Sequence, residues 1–120
     1  MAKSTNRNFQ FIGSSKTVQV SDRLWYPAAD VYQTPEGWVV KVELAGVSAE
    51  EIVIEIHGNK LYIAGSRKDR SCASGISYQQ MEITYSSFEK TLRFPAPLEG
   101  ATIEQMFENG LLIINLRKGK

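Results

Sequence analysis

The residues able to do chemistry are few and scattered. The only histidine, His57, stands beside Gly58-Asn59, and the only cysteine, Cys72, sits among Arg70, Ser71, Ala73, Ser74 and Gly75. A serine or cysteine nucleophile needs a base beside it, and no spacing here pairs His57 with Cys72 or with a serine. A metal at His57 would have carboxylates alone for its other ligands, so no metal site is expected. Glu50-Glu51 reads as part of a helix cap, and the other carboxylates stand singly on outward strand positions. Gly58, Gly65 and Gly75 are isolated, and no helix follows them to cradle a phosphate. Trp25, Tyr26, Trp38, Tyr62, Tyr78 and Tyr85 lack interleaved basic residues, so no stacking platform for nucleic acid is built. The expectation is a protein without cofactor that is not an enzyme and works through its surface.

Composition agrees. The 120 residues make one domain, 42% hydrophobic and 22% charged, with 14 Lys and Arg against 13 Asp and Glu. That balance calls for neither nucleic acid nor an acidic partner. No apolar stretch reaches membrane-spanning length, and Phe9–Ile12 is too short for a signal peptide. A single cysteine excludes an internal disulfide and fits the cytoplasm.

The elements are short strands. Residues 1–24 are polar with a basic lean and form an N-terminal arm. In it Phe9, Phe11 and Ile12 are either sticky contacts or parts of a simple tail. Ala29–Tyr32 reads as a short edge strand, and Thr34-Pro35-Glu36-Gly37 as a turn. Trp38, Val40, Val42 and Leu44 alternate with Lys41 and Glu43 opposite. Ser48 and Glu51 have capping-box spacing, which predicts one helical turn. Ile52, Ile54 and Ile56 share a strand face, and Gly58-Asn59 turns the chain into Lys60–Arg67, with Leu61 and Ile63 inward. Lys68–Gln79 is a polar loop. Met81–Phe94 holds one or two strands broken near Ser86-Ser87, with Phe88, Lys90, Leu92 and Phe94 on one face. Thr102–Glu108 leads through Asn109-Gly110, the strongest hairpin signal in the chain, into Leu111–Arg117. That last run is apolar on both faces, which predicts a central strand covered on both sides. Seven or eight short strands with no long helix predict an all-β fold, an immunoglobulin-like antiparallel β-sandwich.

Taken in order, the motifs resemble the α-crystallin domain of small heat-shock proteins, over about Pro27–Lys118. Pro27-Ala28-Ala29-Asp30-Val31-Tyr32-Gln33-Thr34 is similar to the family's opening Pro-x-x-Asp-φ-Tyr-Glu-Thr. Val42–Val47 is similar to its Asp-Leu-Pro-Gly-Val, and Leu61–Arg67 to its Leu-x-Ile-x-Gly-x-Arg. Glu82, Phe88, Lys90 and Phe94-Pro95 match its Glu…Phe-x-Arg…Leu-Pro. Ile103 to Leu112 matches its Ile-x-Ala-x-x-x-Asn-Gly-Val-Leu. Five pieces in register give 25–118 as an α-crystallin-type domain, with 1–24 an arm and 119–120 a tail stub.

The resemblance implies an ATP-independent chaperone, a holdase that keeps partly unfolded clients from aggregating under stress. An alternative is an adaptor sandwich that binds one defined partner or co-assembles with longer relatives. It implies a groove for clients or tails lined by Ile52, Ile54, Ile56, Ile103, Gln105 and Phe107. It implies a homodimer in which the 68–79 loop, anchored by Ile76 and Tyr78, adds a strand to Ala29–Tyr32 of the other subunit. Ala29, Val31, Tyr32, Ile76, Tyr78 and Lys90 would line that interface, and Phe9, Phe11 and Ile12 would touch clients. Four departures follow. Ala45 replaces a turn proline, Lys90 stands where Arg is usual, and Gln105 replaces a small Ala in the groove. The chain also ends at Arg117-Lys118-Gly119-Lys120 without the Ile-x-Ile/Val tail that links dimers into cages, so a mainly dimeric protein is expected.

Overall fold

Alternating β-branched and polar residues favour pleated strands that bury one face. A computed structural model of the chain, describing residues 24–71 and 73–119, shows seven of them. They are β1 (Ala29–Thr34), β2 (Gly37–Glu43), β3 (Val53–His57), β4 (Lys60–Ser66), β5 (Ser87–Arg93), β6 (Thr102–Glu108) and β7 (Leu111–Arg117). Two antiparallel sheets result, ordered β1-β2-β7-β6 and β3-β4-β5. The all-β sandwich read from the sequence is the fold observed. The arm residues Phe9, Phe11 and Ile12, and Cys72, lie outside the described residues.

The turns behave as their residues dictate. Asn109 (φ 55°) and Gly110 (φ 79°) are both left-handed, as a type I′ hairpin requires, and they set the β6–β7 register from Thr102↔Arg117 to Glu108↔Leu111. Gly37 is needed for a different reason. A Cβ there would run into the Leu116 carbonyl, so only glycine lets β2 come close to β7. Asn59 does more than turn the chain, since its side-chain amide donates to the Phe94 carbonyl at 2.8 Å. That bond ties the β3–β4 hairpin to the segment leaving β5.

The two sheets meet over Val40, Val42 and Leu44 from β2 and its end, and Leu112, Ile114 and Leu116 from β7. Leu61 and Ile63 of β4, Phe88 of β5, and Phe94 and Leu98 beyond it complete the core. The β7 run is central, as expected, but the described residues cover it on one face only. Leu111 remains 37% exposed and Ile113 half-buried. Their face points away from the second sheet, and their cover comes sideways from β2 and β6.

Two local expectations are corrected. Ser48 does not cap the Ala49–Glu51 turn with its side chain. That turn is a 3-10 turn in which the Glu51 amide already donates to the Ser48 carbonyl (3.0 Å), leaving the hydroxyl nothing to cap. The Ser48 hydroxyl donates instead to Glu50 Oε1 at 2.7 Å and holds that carboxyl below its ordinary pKa. Glu51 turns away to Arg70 (3.2 Å). Of the one or two strands expected over Met81–Phe94, one forms, β5, and Met81–Ser86 forms none. Two carbonyls of that segment serve Arg67: that of Thr84 accepts from Arg67 Nε and that of Ser86 from the Arg67 amide, both at 2.9 Å.

Candidate binding edge of the sandwich

β3 and β6 are the outermost strands of their sheets. On β6, Ile103, Gln105 and Phe107 pair with Leu116, Ile114 and Leu112 of β7, so all three share the core-facing side. On β3, Ile54 and Ile56 pair with Ile63 and Leu61 of β4 and face the same interior, and Ile52 leads into that row.

The two edges face one another. Trp25, just before β1, meets Phe88 of β5 edge-to-face at 5.3 Å, and Trp38 of β2 meets Phe94 likewise at 5.3 Å. β5 therefore lies across β1 and β2. β3, at the far end of its sheet, is left opposite β6. All six groove residues named from the sequence thus line one side of the sandwich. They are not equally covered. Ile52, Ile54, Ile56 and Phe107 are half-buried against the core, whereas Ile103 is 38% exposed and Gln105 lies open. Such a row offers apolar surface beside two strand edges that no other described strand pairs.

The residues expected at a dimer interface are split by the structure. Ala29 and Val31 pair with Val42 and Val40 on the inner face of β1, and Lys90 pairs with Ile63 on the inner face of β5. Those three belong to the side opposite the β3–β6 edge. Among the described residues the Lys90 ammonium makes no ion pair. Tyr32 is on the outer face, its ring 5.4 Å from the Lys41 ammonium. Ile76 is 48% exposed in the 68–79 loop, which contains no strand among its described residues. Tyr78 is half-buried, and its hydroxyl donates to Asp69 Oδ2 at 2.8 Å. That bond, with a second from the Ser71 hydroxyl, holds the Asp69 carboxyl below its ordinary pKa.

Arg67 has a role that the motif alone did not disclose. Its guanidinium lies 4.0 Å from the centre of the Trp25 ring and donates to the Thr84 and Ala45 carbonyls at 2.9 and 3.1 Å. Partial burial pushes its pKa below the ordinary value. One side chain thus clasps the segment before β1, the 81–86 segment and the turn after β2. The available signal was an Arg at the end of a strand whose neighbouring turn, Ala45-Gly46, lacks side chains large enough to fill the gap.

The chemically capable residues do not converge. His57 is exposed with its ring 3.0 Å from Glu55 on the outer face of β3. Among the described residues no group of three or more His, Cys, Asp or Glu is placed to hold a metal. Nor, among the described residues, is any helix long and apolar enough to cross a membrane.

A two-sheet antiparallel sandwich with one open apolar edge is the architecture of an α-crystallin-type domain. The Hsp20/alpha crystallin family matches residues 30–120, and the chain belongs to that family of small heat-shock chaperones, which are not enzymes. It is 31% identical over 113 residues to the small heat shock protein C2 of Rickettsia felis, covering 94% of this chain and 71% of that one. The match to the 22.7 kDa class IV heat shock protein of Pisum sativum is 29% identical and covers 79% of this chain. There the chain spans about half the relative's length, 49%. The solved structure of heat shock protein 16.0 from Schizosaccharomyces pombe superposes with a TM-score of 0.72 at 30% identity, over 78% of this chain and 87% of that one.

Proposed function

We propose that this chain is a holdase, binding partly unfolded clients without nucleotide and keeping them from aggregating. The observation that carries the reading is the β3–β6 edge, where Ile54, Ile56, Phe107 and Ile103 face the interior yet stay only partly covered. A client segment laid along that edge would bury their remaining apolar area, at roughly 25 cal/mol per Å². It would also pair with the outer edges of β3 and β6, which no other described strand occupies. Both gains exist only while the client exposes apolar chain, so capture needs no energy source. Gln105, in the middle of the row, favours a segment that offers a polar group opposite it.

The same reading makes β1 the dimerisation edge. Among the described residues no strand pairs with its outer side, and Val31 and Tyr32 are 41% and 42% exposed. The 68–79 loop of a second copy, carrying Ile76, would add a strand there, with Lys90 on the same side. The placement is cytoplasmic. The test is heat-induced light scattering of a model client without ATP. Equimolar protein is expected to suppress it. No suppression at equimolar or higher ratio, with one stoichiometric partner recovered instead, would replace the holdase by an adaptor.

A further inference from the structure

The outer face of the four-stranded sheet is built differently from the binding edge. Its middle is apolar, with Leu111 (37% exposed), Ile113 and Met106 (49% exposed) adjacent across β7 and β6. Its border is acidic. Glu43 and Glu108 flank Leu111 in one cross-strand row, and Asp30 ends the next. None of these three acids makes an ion pair among the described residues. Two cations share this face, Lys41 opposite Asp30 and over the Tyr32 ring, and Arg117 paired with Glu104 at 2.9 Å, so acids still outnumber cations on it.

Residues 1–23 have the complementary character. They carry Lys3, Arg7, Lys16 and Arg23 against the single acid Asp22. Phe9 and Phe11, like Val18 and Val20, are spaced by two, which puts each pair on one side of an extended segment. They join the domain through Leu24 and Trp25, on the β5 side of β1. The Ala28 carbonyl accepts from the Glu43 amide at 2.9 Å, beside the Glu43–Leu111–Glu108 row. An extended segment gains ~3.3 Å per residue, so 23 residues reach ~75 Å, several times the ~23 Å length of a seven-residue strand.

We propose that residues 1–23 dock on this outer face of their own chain, apolar residues over Leu111, Ile113 and Met106, basic residues against Asp30, Glu43 and Glu108. Docking would hold Phe9 and Phe11 away from other proteins. Salt would weaken it, because the ionic part is solvent-exposed and screened. The inference is independent of the holdase reading.

Met106 is the reporter, since an exposed methionine is oxidised by peroxide and a covered one is protected. Met81, 43% exposed in the 81–86 segment, is the internal control. Oxidation is followed by mass spectrometry in the full chain, in the arm variant F9S/F11S/K16E, and in the face variant E43K/E108K. Met106 is expected to oxidise several-fold faster in either variant, and faster in wild type at 1 M salt, with the Met81 rate unchanged. Equal Met106 rates in wild type and arm variant overturn the proposal. So does protection of Met106 in an isotope-labelled arm variant co-refolded with wild type, which would assign the cover to the arm of a second copy.

Discussion

β6 and β7 are joined by one two-residue turn and paired residue for residue, yet their inner faces meet opposite fates. Leu112, Ile114 and Leu116 of β7 are at most 2% exposed. Their partners Phe107, Gln105 and Ile103 are half-buried, open and 38% exposed. Residue type does not explain the contrast, because Ile103 and Ile114 are the same amino acid. Position does. β7 has a strand on each side and the second sheet above it, whereas β6 has a strand on one side only. Central strands hold the domain together, and the edge keeps apolar surface that another chain can cover.

The contrast breaks most visibly in stability. Ile114→Ala empties a fully buried site and is expected to cost ~2–5 kcal/mol in denaturant unfolding, against less than ~1 kcal/mol for Ile103→Ala. Arg67→Ala should come next, ~1–3 kcal/mol, by leaving the Thr84 and Ala45 carbonyls without their donor. With Trp38→Phe in the background, Trp25 emission should then shift to the red. Gly110→Ala attacks the turn that sets the pairing. Its φ is 79° and a Cβ would lie 3.0 Å from that of Ala45, so ~1–2 kcal/mol and a lower thermal midpoint are expected.

The smallest effect is in the 68–79 loop. The Asp69 carboxyl has a lowered pKa in the folded chain, so its contribution is complete above the ordinary aspartate value and fades as pH falls through the lowered one. Limited proteolysis should show the loop loosening at acid pH, and Tyr78→Phe should make it nearly as loose at neutral pH.

Much of the β6–β7 contrast was legible in the sequence. Asn109-Gly110 announced the hairpin because few other residues accept two left-handed conformations. Alternation in Trp38–Leu44 and Lys60–Arg67 gave inner faces directly, as did the spacing of Ile54 and Ile56 and of Ile103 and Phe107 for β3 and β6. What stayed hidden depends on three-dimensional neighbours. The pattern of Leu111 and Ile113 looks the same whether or not a second layer covers them. Met81–Ser86 has strand-like residues, but Arg67 takes the carbonyls of Thr84 and Ser86. The Ser48–Glu51 spacing is correct for a capping box, and only the shortness of the 3-10 turn removes the amide it would cap. Asn59 and Arg67 bond to backbone 35 and 17 residues away, which no local pattern encodes.

The claim that the open edge takes clients is tested most directly by photo-crosslinking. A photoreactive residue is placed at Ile103, or at the exposed Thr91 on the outer face of the three-stranded sheet, and the protein is heated with a model client. Crosslinks to client are predicted from position 103 and few from position 91. Equal yields from both positions, or none from 103 while aggregation is still suppressed, would contradict the account.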